Sequence, residues 1–176
     1  MSDRPRILIF TGDGKGKTTA ALGMALRAAG HGLAVHVIQF IKADRRTGEL
    51  KAVRKLPGLS IVQAGRGFVP PPDNPQFAQH KAAAQEALAL ARQALAAGQY
   101  HMVVLDEICL AVAHALLSEQ EVLDLIAASP PRTHLVLTGR GATPALIAAA
   151  DTVTEMRPVK HLFDSAHASP THGIEF

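Results

Sequence analysis

Short, continuous runs of apolar residues alternate along the chain with longer stretches in which apolar positions recur every three or four residues. The short runs are typical of buried β-strands, and the longer pattern is typical of helices that cover a sheet. Strands are predicted at residues 6–10, 33–40, 59–62, 102–105, 133–137 and 152–156. Helices are predicted at residues 18–29, 76–97, 108–117, 118–128 and 143–150, and the charged stretch 42–57 is expected to be partly helical. This alternation predicts a single α/β domain over residues 1–176, with a mainly parallel sheet and helices on both faces.

Glycines and capping residues set the expected boundaries of several helices. Gly30 and Gly32 are expected to end the first helix, because glycine adopts the left-handed conformation in which helices often stop. Ser118, followed three residues later by Glu121, has the spacing of a capping box. A helix is therefore expected to begin directly after Ser118.

The segment 64–75 is predicted to be a loop, because four of the six residues 70–75 are proline. Proline interrupts helices and central strands. The loop carries one aromatic residue, Phe68. Such a residue either anchors the loop to the body of the protein or forms part of a pocket wall, and the sequence leaves both interpretations open.

Composition indicates an ordinary globular protein, with 48% hydrophobic residues, 19% charged residues and a formal net charge of +3. The small positive charge is no signature of nucleic-acid binding, so no nucleic-acid partner is expected. The single cysteine, Cys109, excludes an internal disulfide framework, favours a reducing compartment and is expected to be buried and inert. No secretory signal and no apolar run of about twenty residues is visible, so a cytoplasmic protein without a membrane span is expected.

Residues 11–19 read Thr-Gly-Asp-Gly-Lys-Gly-Lys-Thr-Thr and lie between a predicted strand and a predicted helix. This is the sequence context of a phosphate-binding loop. Its glycines let backbone N–H groups point inward, and the helix N-terminus adds partial positive charge. Lys17 brings a full charge to the phosphates, and the Thr18 hydroxyl is expected to ligate Mg²⁺. A glycine-rich surface turn is the alternative, and Lys15 could be a solvated loop charge. Thr11 stands where the general pattern has glycine.

An acidic pair, Asp106-Glu107, follows the predicted strand 102–105. A carboxylate at such a strand end can hold Mg²⁺ directly or through water, although a capping or buried acidic pair would give the same pattern. The phosphate loop, Gln39, the acidic pair and residues 138–140 all follow predicted strands, so they are expected at the same edge of the sheet. This convergence predicts a site for Mg-ATP or Mg-GTP. An Asn-Lys-x-Asp base-recognition motif is missing from the sequence, which argues against an ordinary GTPase.

The whole set of motifs resembles the ATP:corrinoid adenosyltransferases that use a phosphate-loop fold. The pieces that match lie at 11–21, 27–32, 39–42, 48–49, 67–68, 104–107, 137–140, 150–156, 160–161 and 173–176, in the order of the family. They span nearly the whole chain. Thr11, unusual for a general phosphate loop, is what this family has.

The resemblance implies an alkyl transfer rather than a phosphoryl transfer. A corrinoid reduced to Co(I) attacks the C5′ carbon of ATP, and triphosphate leaves. In the family the nucleotide lies reversed in the loop, with the γ-phosphate in the usual β-phosphate place. The resemblance also implies Mg²⁺ as cofactor, ATP and a corrinoid as substrates, a homodimer, and a flavoprotein as a possible source of electrons.

Site residues follow from the resemblance position by position. Thr18 and Glu107 would hold Mg²⁺ and, with Lys17, form the catalytic set. The triphosphate would be bound by Gly12, Asp13, Gly14, Lys15, Gly16, Lys17, Thr18 and Thr19. Arg27, Arg140 and His161 match positions implied to contact the nucleotide, although Arg27 would equally suit a solvated helix face. The resemblance implies that Phe68 packs beneath the corrin.

The chain departs from the family in the proline loop. Where the family commonly has Gly-Phe-Thr-Trp, this sequence has Gly67-Phe68-Val69-Pro70. The family's phenylalanine and tryptophan together help to remove the lower axial ligand of the corrinoid, and here Pro70 replaces the second. Two alternatives therefore accompany the adenosyltransferase hypothesis. One is an ATPase or small-molecule kinase that uses the same loop, and the other is a non-catalytic module that binds nucleotide or corrinoid.

Overall fold

The structure is a computed structural model and describes residues 5–160, 171, 173 and 174. Within these residues there are six strands and six helices, and each strand but the last is followed by one or two helices. The strands are β1 (Ile7–Thr11), β2 (Val35–Gln39), β3 (Leu59–Gln63), β4 (Met102–Asp106), β5 (His134–Thr138) and β6 (Thr152–Glu155). The helices are α1 (Lys17–Gly30), α2 (Gly48–Val53), α3 (Phe77–Ala96), α4 (Ile108–Ala113), α5 (Glu119–Ala127) and α6 (Pro144–Ala149).

The six strands form one sheet in the order β3-β2-β4-β5-β1-β6, and every neighbouring pair is parallel. The predicted α/β fold with a parallel sheet is therefore confirmed. In this order β5 separates β1 from β4. The loop that follows β1 and the acidic pair at the end of β4 thus lie two strands apart at the same edge.

Each face of the sheet carries its own hydrophobic core, as expected when successive strand residues point to opposite sides. Val103 and Leu105 of β4 pack in a core with residues of α3 to α6. Val104 packs on the other side with Ala21 and Ala25 of α1. All three β4 residues are fully buried, which explains the continuous apolar run in the sequence.

The predicted end of the first helix is confirmed at Gly32. Gly32 is left-handed with φ 75°, whereas Gly30, also expected to end the helix, is still the last residue of α1. The amides of Gly32 and Leu33 donate to the carbonyls of Ala29 (2.9 Å) and Ala28 (3.1 Å), which closes α1 in a Schellman motif. Because Leu33 belongs to this cap, β2 begins at Val35 rather than at residue 33.

The predicted capping box is also present at the start of α5. The Ser118 hydroxyl accepts from the Glu121 amide at 3.2 Å, and the Glu121 carboxylate accepts from the Ser118 amide at 2.8 Å. These two bonds satisfy backbone donors that the first turn of a helix leaves without partners.

The expected helix 108–117 is wrong in its second half, because α4 ends at Ala113. Ala115 takes a left-handed conformation with φ 54°, which turns the chain out of the helix. The turn places Leu116 and Leu117 in the core, where they are only 1% and 3% exposed. Burial of two leucines stabilises the fold by roughly 3–6 kcal/mol, which outweighs the backbone strain.

Cys109 is buried, as expected, and burial raises the pKa of its thiol to about 12. A thiol with such a pKa is almost entirely protonated at neutral pH and therefore unreactive.

Among the helices in the described part of the chain, none combines the length and apolar character needed to cross a bilayer.

Candidate functional site

The glycine-rich loop lies between β1 and α1, at the carboxyl edge of the sheet. Gly12 and Gly16 have φ values of 92° and 114°, which favour glycine. The loop is also packed against the chain that leaves β6, since the Gly14 amide donates to the Met156 carbonyl at 2.7 Å. A Cβ atom on Gly12 would lie 2.5 Å from that carbonyl oxygen, and one on Gly14 would lie 2.7 Å from it. The loop therefore requires glycine for close packing as well as for its turns.

Thr11, which stands in place of the usual glycine, has a structural role of its own. It is the last residue of β1 and pairs with Glu155 of β6. Its carbonyl accepts from the Met156 amide at 2.8 Å, and its hydroxyl accepts from the Ala142 amide at 3.3 Å. Thr11 thus extends the strand to the beginning of the loop.

Lys17 is held inside the loop and is only 7% exposed. Its ammonium group donates to the carbonyls of Gly12 and Gly14, at 2.8 and 2.7 Å. Burial lowers the pKa of Lys17, while the charge of Glu107 opposes this shift. An ammonium group has three donors, so the two loop carbonyls leave one for a bound phosphate.

Asp106 is the centre of a hydrogen-bond network that joins three strands to the first helix. Its Oδ1 accepts from the hydroxyls of Thr18 (2.8 Å) and Thr138 (2.7 Å), and its Oδ2 accepts from the Gln39 amide (3.0 Å). The residue is completely buried. The sequence indicated a carboxylate at this strand end, but it did not reveal that Asp106 fixes the Thr18 hydroxyl.

Glu107 stands beside this network in a left-handed conformation, with φ 65°. Its amide donates to the Thr138 hydroxyl at 2.9 Å, and its Oε2 atom is buried without a hydrogen-bond partner among the described residues. Burial and the neighbouring Asp106 raise the pKa of Glu107, against the effect of Lys17, Lys42 and Arg140. A buried carboxylate oxygen without a donor suits a hard cation such as Mg²⁺.

Two charged residues on the wall opposite the loop, Lys42 and Glu49, were assigned no role from the sequence. Lys42 lies 3.2 Å from the Glu49 carboxylate and 3.7 Å from Oδ2 of Asp106. Together with the loop they enclose a cavity of about 440 Å³. The predicted site residues that line it are Lys15, Gly16, Lys17, Thr18, Thr19 and Glu107, and Leu22, Gly48, Gly173 and Ile174 complete the wall. Lys42 follows a predicted strand, and this position was the sequence feature that could have indicated its place at the site.

Two predicted nucleotide contacts, Arg140 and Arg27, do not line this cavity. Arg140 does not line it, but its charge lowers the pKa of both Lys17 and Glu107, so it lies near the site. Arg27 is exposed ten residues after Lys17 on α1, roughly 15 Å along the helix axis, and lines a separate hollow near the amino ends of the strands. His161 lies outside the described residues.

Phe68 is 92% exposed, so the interpretation that it anchors its loop is wrong. The loop is instead held by its neighbours. The Gly67 amide donates to the Ile41 carbonyl at 2.7 Å, and Val69 is buried in the core. The aromatic ring therefore projects from a loop that is fixed on both sides of it.

Comparison with solved structures identifies the fold alone. The flagellar accessory protein FlaH from Methanocaldococcus jannaschii superposes with a TM-score of 0.56 and 14% identity, over 86% of this chain and 72% of that one. At this level of identity only the α/β architecture is shared.

Comparison of sequences is far more specific. Residues 3–176 match the family described as ATP:corrinoid adenosyltransferase BtuR/CobO/CobP. The chain is 43% identical to a corrinoid adenosyltransferase of Pseudomonas aeruginosa, over 99% of this chain and 85% of that protein. It is 40% identical to those of Escherichia coli K12 (94% of this chain, 83% of that protein) and Salmonella typhimurium (100% and 88%). With a phosphate loop, an acidic strand end and nearly full-length similarity together, the chain belongs to the ATP:corrinoid adenosyltransferase family.

Proposed function

We propose that this protein transfers the 5′-deoxyadenosyl group of ATP to the cobalt of a Co(I) corrinoid and releases triphosphate, as a step in the synthesis or salvage of adenosylated corrinoids. The observation that carries the proposal is the placement of Lys17 inside the glycine-rich loop and of Thr18 against Asp106, in a chain of this family. That arrangement suits a site that grips a polyphosphate without supplying a nucleophile of its own.

The reaction leaves its new negative charge on the triphosphate, so groups that bind phosphate are the relevant catalysts. The glycine-rich loop and the N-terminus of α1 supply fixed dipoles, apart from the Gly14 amide, which is already bonded to the Met156 carbonyl. Lys17 supplies a full charge from a buried position, where an electrostatic interaction is stronger than in water. Asp13, Lys15 and Thr19 are proposed as further contacts at the mouth of the loop.

Thr18 and Glu107 are proposed to hold Mg²⁺. The donors fit, because both offer oxygen and because the buried Oε2 of Glu107 has no other partner among the described residues. When bound, the ion would supply positive charge to the phosphate oxygens. Asp106 would keep the Thr18 hydroxyl in place, since that hydroxyl donates its proton to Oδ1 and keeps its lone pairs for the cation.

The corrinoid is proposed to approach from the side of Phe68. An aromatic ring that is 92% exposed on a fixed loop is available for stacking on a flat macrocycle. Pro70 stands where the family has tryptophan, so Phe68 would make this contact without the second aromatic residue. Arg27, Arg140 and His161 remain proposed nucleotide contacts on the family resemblance.

The family resemblance also supports the remaining proposals. These are a single domain, a homodimer, a flavoprotein that supplies electrons, and a cytoplasmic location that agrees with one buried cysteine. None of them is needed for the chemistry of the cavity itself.

The test is to incubate the protein with Mg-ATP and a chemically reduced corrinoid in the absence of oxygen. Adenosylated corrinoid and triphosphate are expected in equal amounts. ADP would instead indicate an ATPase or kinase, and unchanged ligands would indicate a binding module. Lys17→Ala should abolish turnover, and near-normal activity in that variant would count against the site.

A further inference from the structure

We propose that Lys42 is a second triphosphate-binding lysine, which contacts the phosphate next to the adenosyl group and stabilises it as the leaving group. This inference rests on the proposed function. It concerns a residue on the wall opposite the glycine-rich loop. In the proposed reaction the loop holds the phosphates farther from the adenosyl group, which leaves this wall for the phosphate next to it.

The distribution of charge around the cavity supports this assignment. Of the described residues that line the cavity, three are cationic, namely Lys15, Lys17 and Lys42. Lys17 is fixed to two carbonyls of its own loop, and Lys15 lies on the same loop. Lys42 alone of these three faces the loop from the other side, between the end of β2 and the start of α2.

Lys42 is held by partners that allow it to reach into the cavity. Its nearest contact is Glu49, at 3.2 Å, and this carboxylate also lines the cavity. The second is Asp106, at 3.7 Å, which already accepts three hydrogen bonds from Thr18, Thr138 and Gln39. The Lys42 side chain is 32% exposed. A lysine in this position can form a contact with phosphate without leaving Asp106 unsatisfied.

The balance of the reaction shows why a cation is needed on this side. The electron pair of Co(I) forms the cobalt–C5′ bond, the C5′–O5′ bond breaks, and its electron pair stays on O5′ of the departing triphosphate. The terminal phosphate formed in this way carries more negative charge than it had as an ester in ATP. A lysine that contacts this phosphate therefore binds the product and the transition state more tightly than the substrate, which is the condition for raising kcat.

The experiment compares Lys42→Met, which keeps the length of the side chain and removes the charge, with Lys42→Arg, which keeps the charge. Lys55→Met is the matched control, because Lys55 is exposed and does not line the cavity. Dissociation constants of Mg-ATP and of inorganic triphosphate are measured by calorimetry for each protein, and kcat is measured in the anaerobic reaction.

We expect Lys42→Met to weaken triphosphate binding by about tenfold and to weaken ATP binding distinctly less. Its kcat should fall by about 100-fold, while Lys42→Arg recovers most of both losses and Lys55→Met changes neither. Equal weakening of both ligands, or no weakening of either, would overturn the proposal and leave Lys42 as a structural partner of Asp106. If the unmodified protein formed no adenosylated corrinoid, the proposed function would fail instead, and the binding comparison would still be informative about Lys42.

Discussion

At the scale of single residues, the site depends on side chains that are held by the protein before any ligand arrives. Lys17 is fixed by two loop carbonyls and Thr18 by Asp106. Asp106 is in turn fixed by donors from two other strands. Because each group already has its orientation, little reorganisation is needed when a polyphosphate binds, and preorganisation of this kind is a major source of catalytic power.

Gly14→Ala tests whether the loop depends on its contact with the chain after β6. The new Cβ atom would lie 2.7 Å from backbone atoms of Met156, so one of the two segments must move. We expect the free energy of unfolding to fall by about 1–3 kcal/mol and ATP affinity to fall by at least about tenfold. Chemical denaturation and calorimetry measure the two effects. Unchanged ATP affinity would show that the loop tolerates displacement.

Phe68→Ala tests the proposed contact with the corrinoid. Because the side chain is 92% exposed, the free energy of unfolding should change by less than about 0.5 kcal/mol. KM for the corrinoid should rise, and the dissociation constant of ATP should stay the same. Leu26→Ala, which truncates another exposed apolar residue, is the control and should leave both constants unchanged. A large loss of stability in Phe68→Ala would contradict the exposed position of the ring.

At the scale of secondary-structure elements, the sequence predicted a helix boundary correctly where neighbouring residues determine that boundary. The end of α1 at Gly32 and the capping box at Ser118 each depend on a few neighbouring residues, and both were predicted. The end of α4 depends instead on the burial of Leu116 and Leu117 by distant parts of the chain, and this boundary was predicted wrongly. Tertiary packing that overrides a local helical pattern cannot be derived from that pattern alone.

Gly23→Ala should stabilise the protein, because Gly23 lies inside α1 and a Cβ atom there would meet no atom within 4 Å. Alanine loses less backbone entropy on folding, so the free energy of unfolding should rise by about 0.5–1 kcal/mol. The same variant serves as a control for Gly14→Ala, since it adds the same methyl group without a close contact. A destabilised Gly23→Ala would mean that the helix surface has an unrecognised contact.

Ser118→Ala should lower the free energy of unfolding at neutral pH by about 1 kcal/mol, because it removes the side-chain half of the capping box. Hydrogen bonds from the Ser118 amide, from Gln85 and from the Ser118 hydroxyl lower the pKa of Glu121 below its ordinary value of 4.5. The carboxylate therefore contributes stability above that value, and the contribution is lost as the pH falls through the lowered pKa.

The effect of Ser118→Ala should accordingly be smaller at about pH 3 than at about pH 7. Denaturant unfolding of the two proteins at both values measures the difference. An equal effect at the two pH values would contradict the assigned role of Glu121.

At the scale of the whole molecule, the parallel sheet assembles the site. Strand ends that are far apart in sequence meet at one edge, and the end of β5 supplies Thr138 between the loop after β1 and Asp106 of β4. The sequence allowed us to predict this edge, because motifs followed several predicted strands. It did not allow us to predict the strand order, and so the roles of Thr138, Gln39 and Lys42 became visible only in the folded chain.

The position of Arg27 illustrates the same limit. The nucleotide contact implied by its family position stays a prediction, and the folded chain adds that Arg27 lies on the far half of α1 and lines a separate hollow. A sequence pattern assigns a residue to an element but does not give its distance from a site that other elements help to form.

The central claim is that this cavity directs attack to carbon rather than to phosphorus, and one isotope measurement tests it directly. ATP that carries ¹⁸O at the bridging 5′-oxygen is incubated with the protein and a Co(I) corrinoid without oxygen, and the products are analysed by mass spectrometry. Breakage of the C5′–O5′ bond predicts that all of the label leaves with triphosphate and that none is found in the adenosylated corrinoid. Label that stays on the adenosyl side, in ADP or adenosine, would show cleavage at phosphorus and would contradict the account.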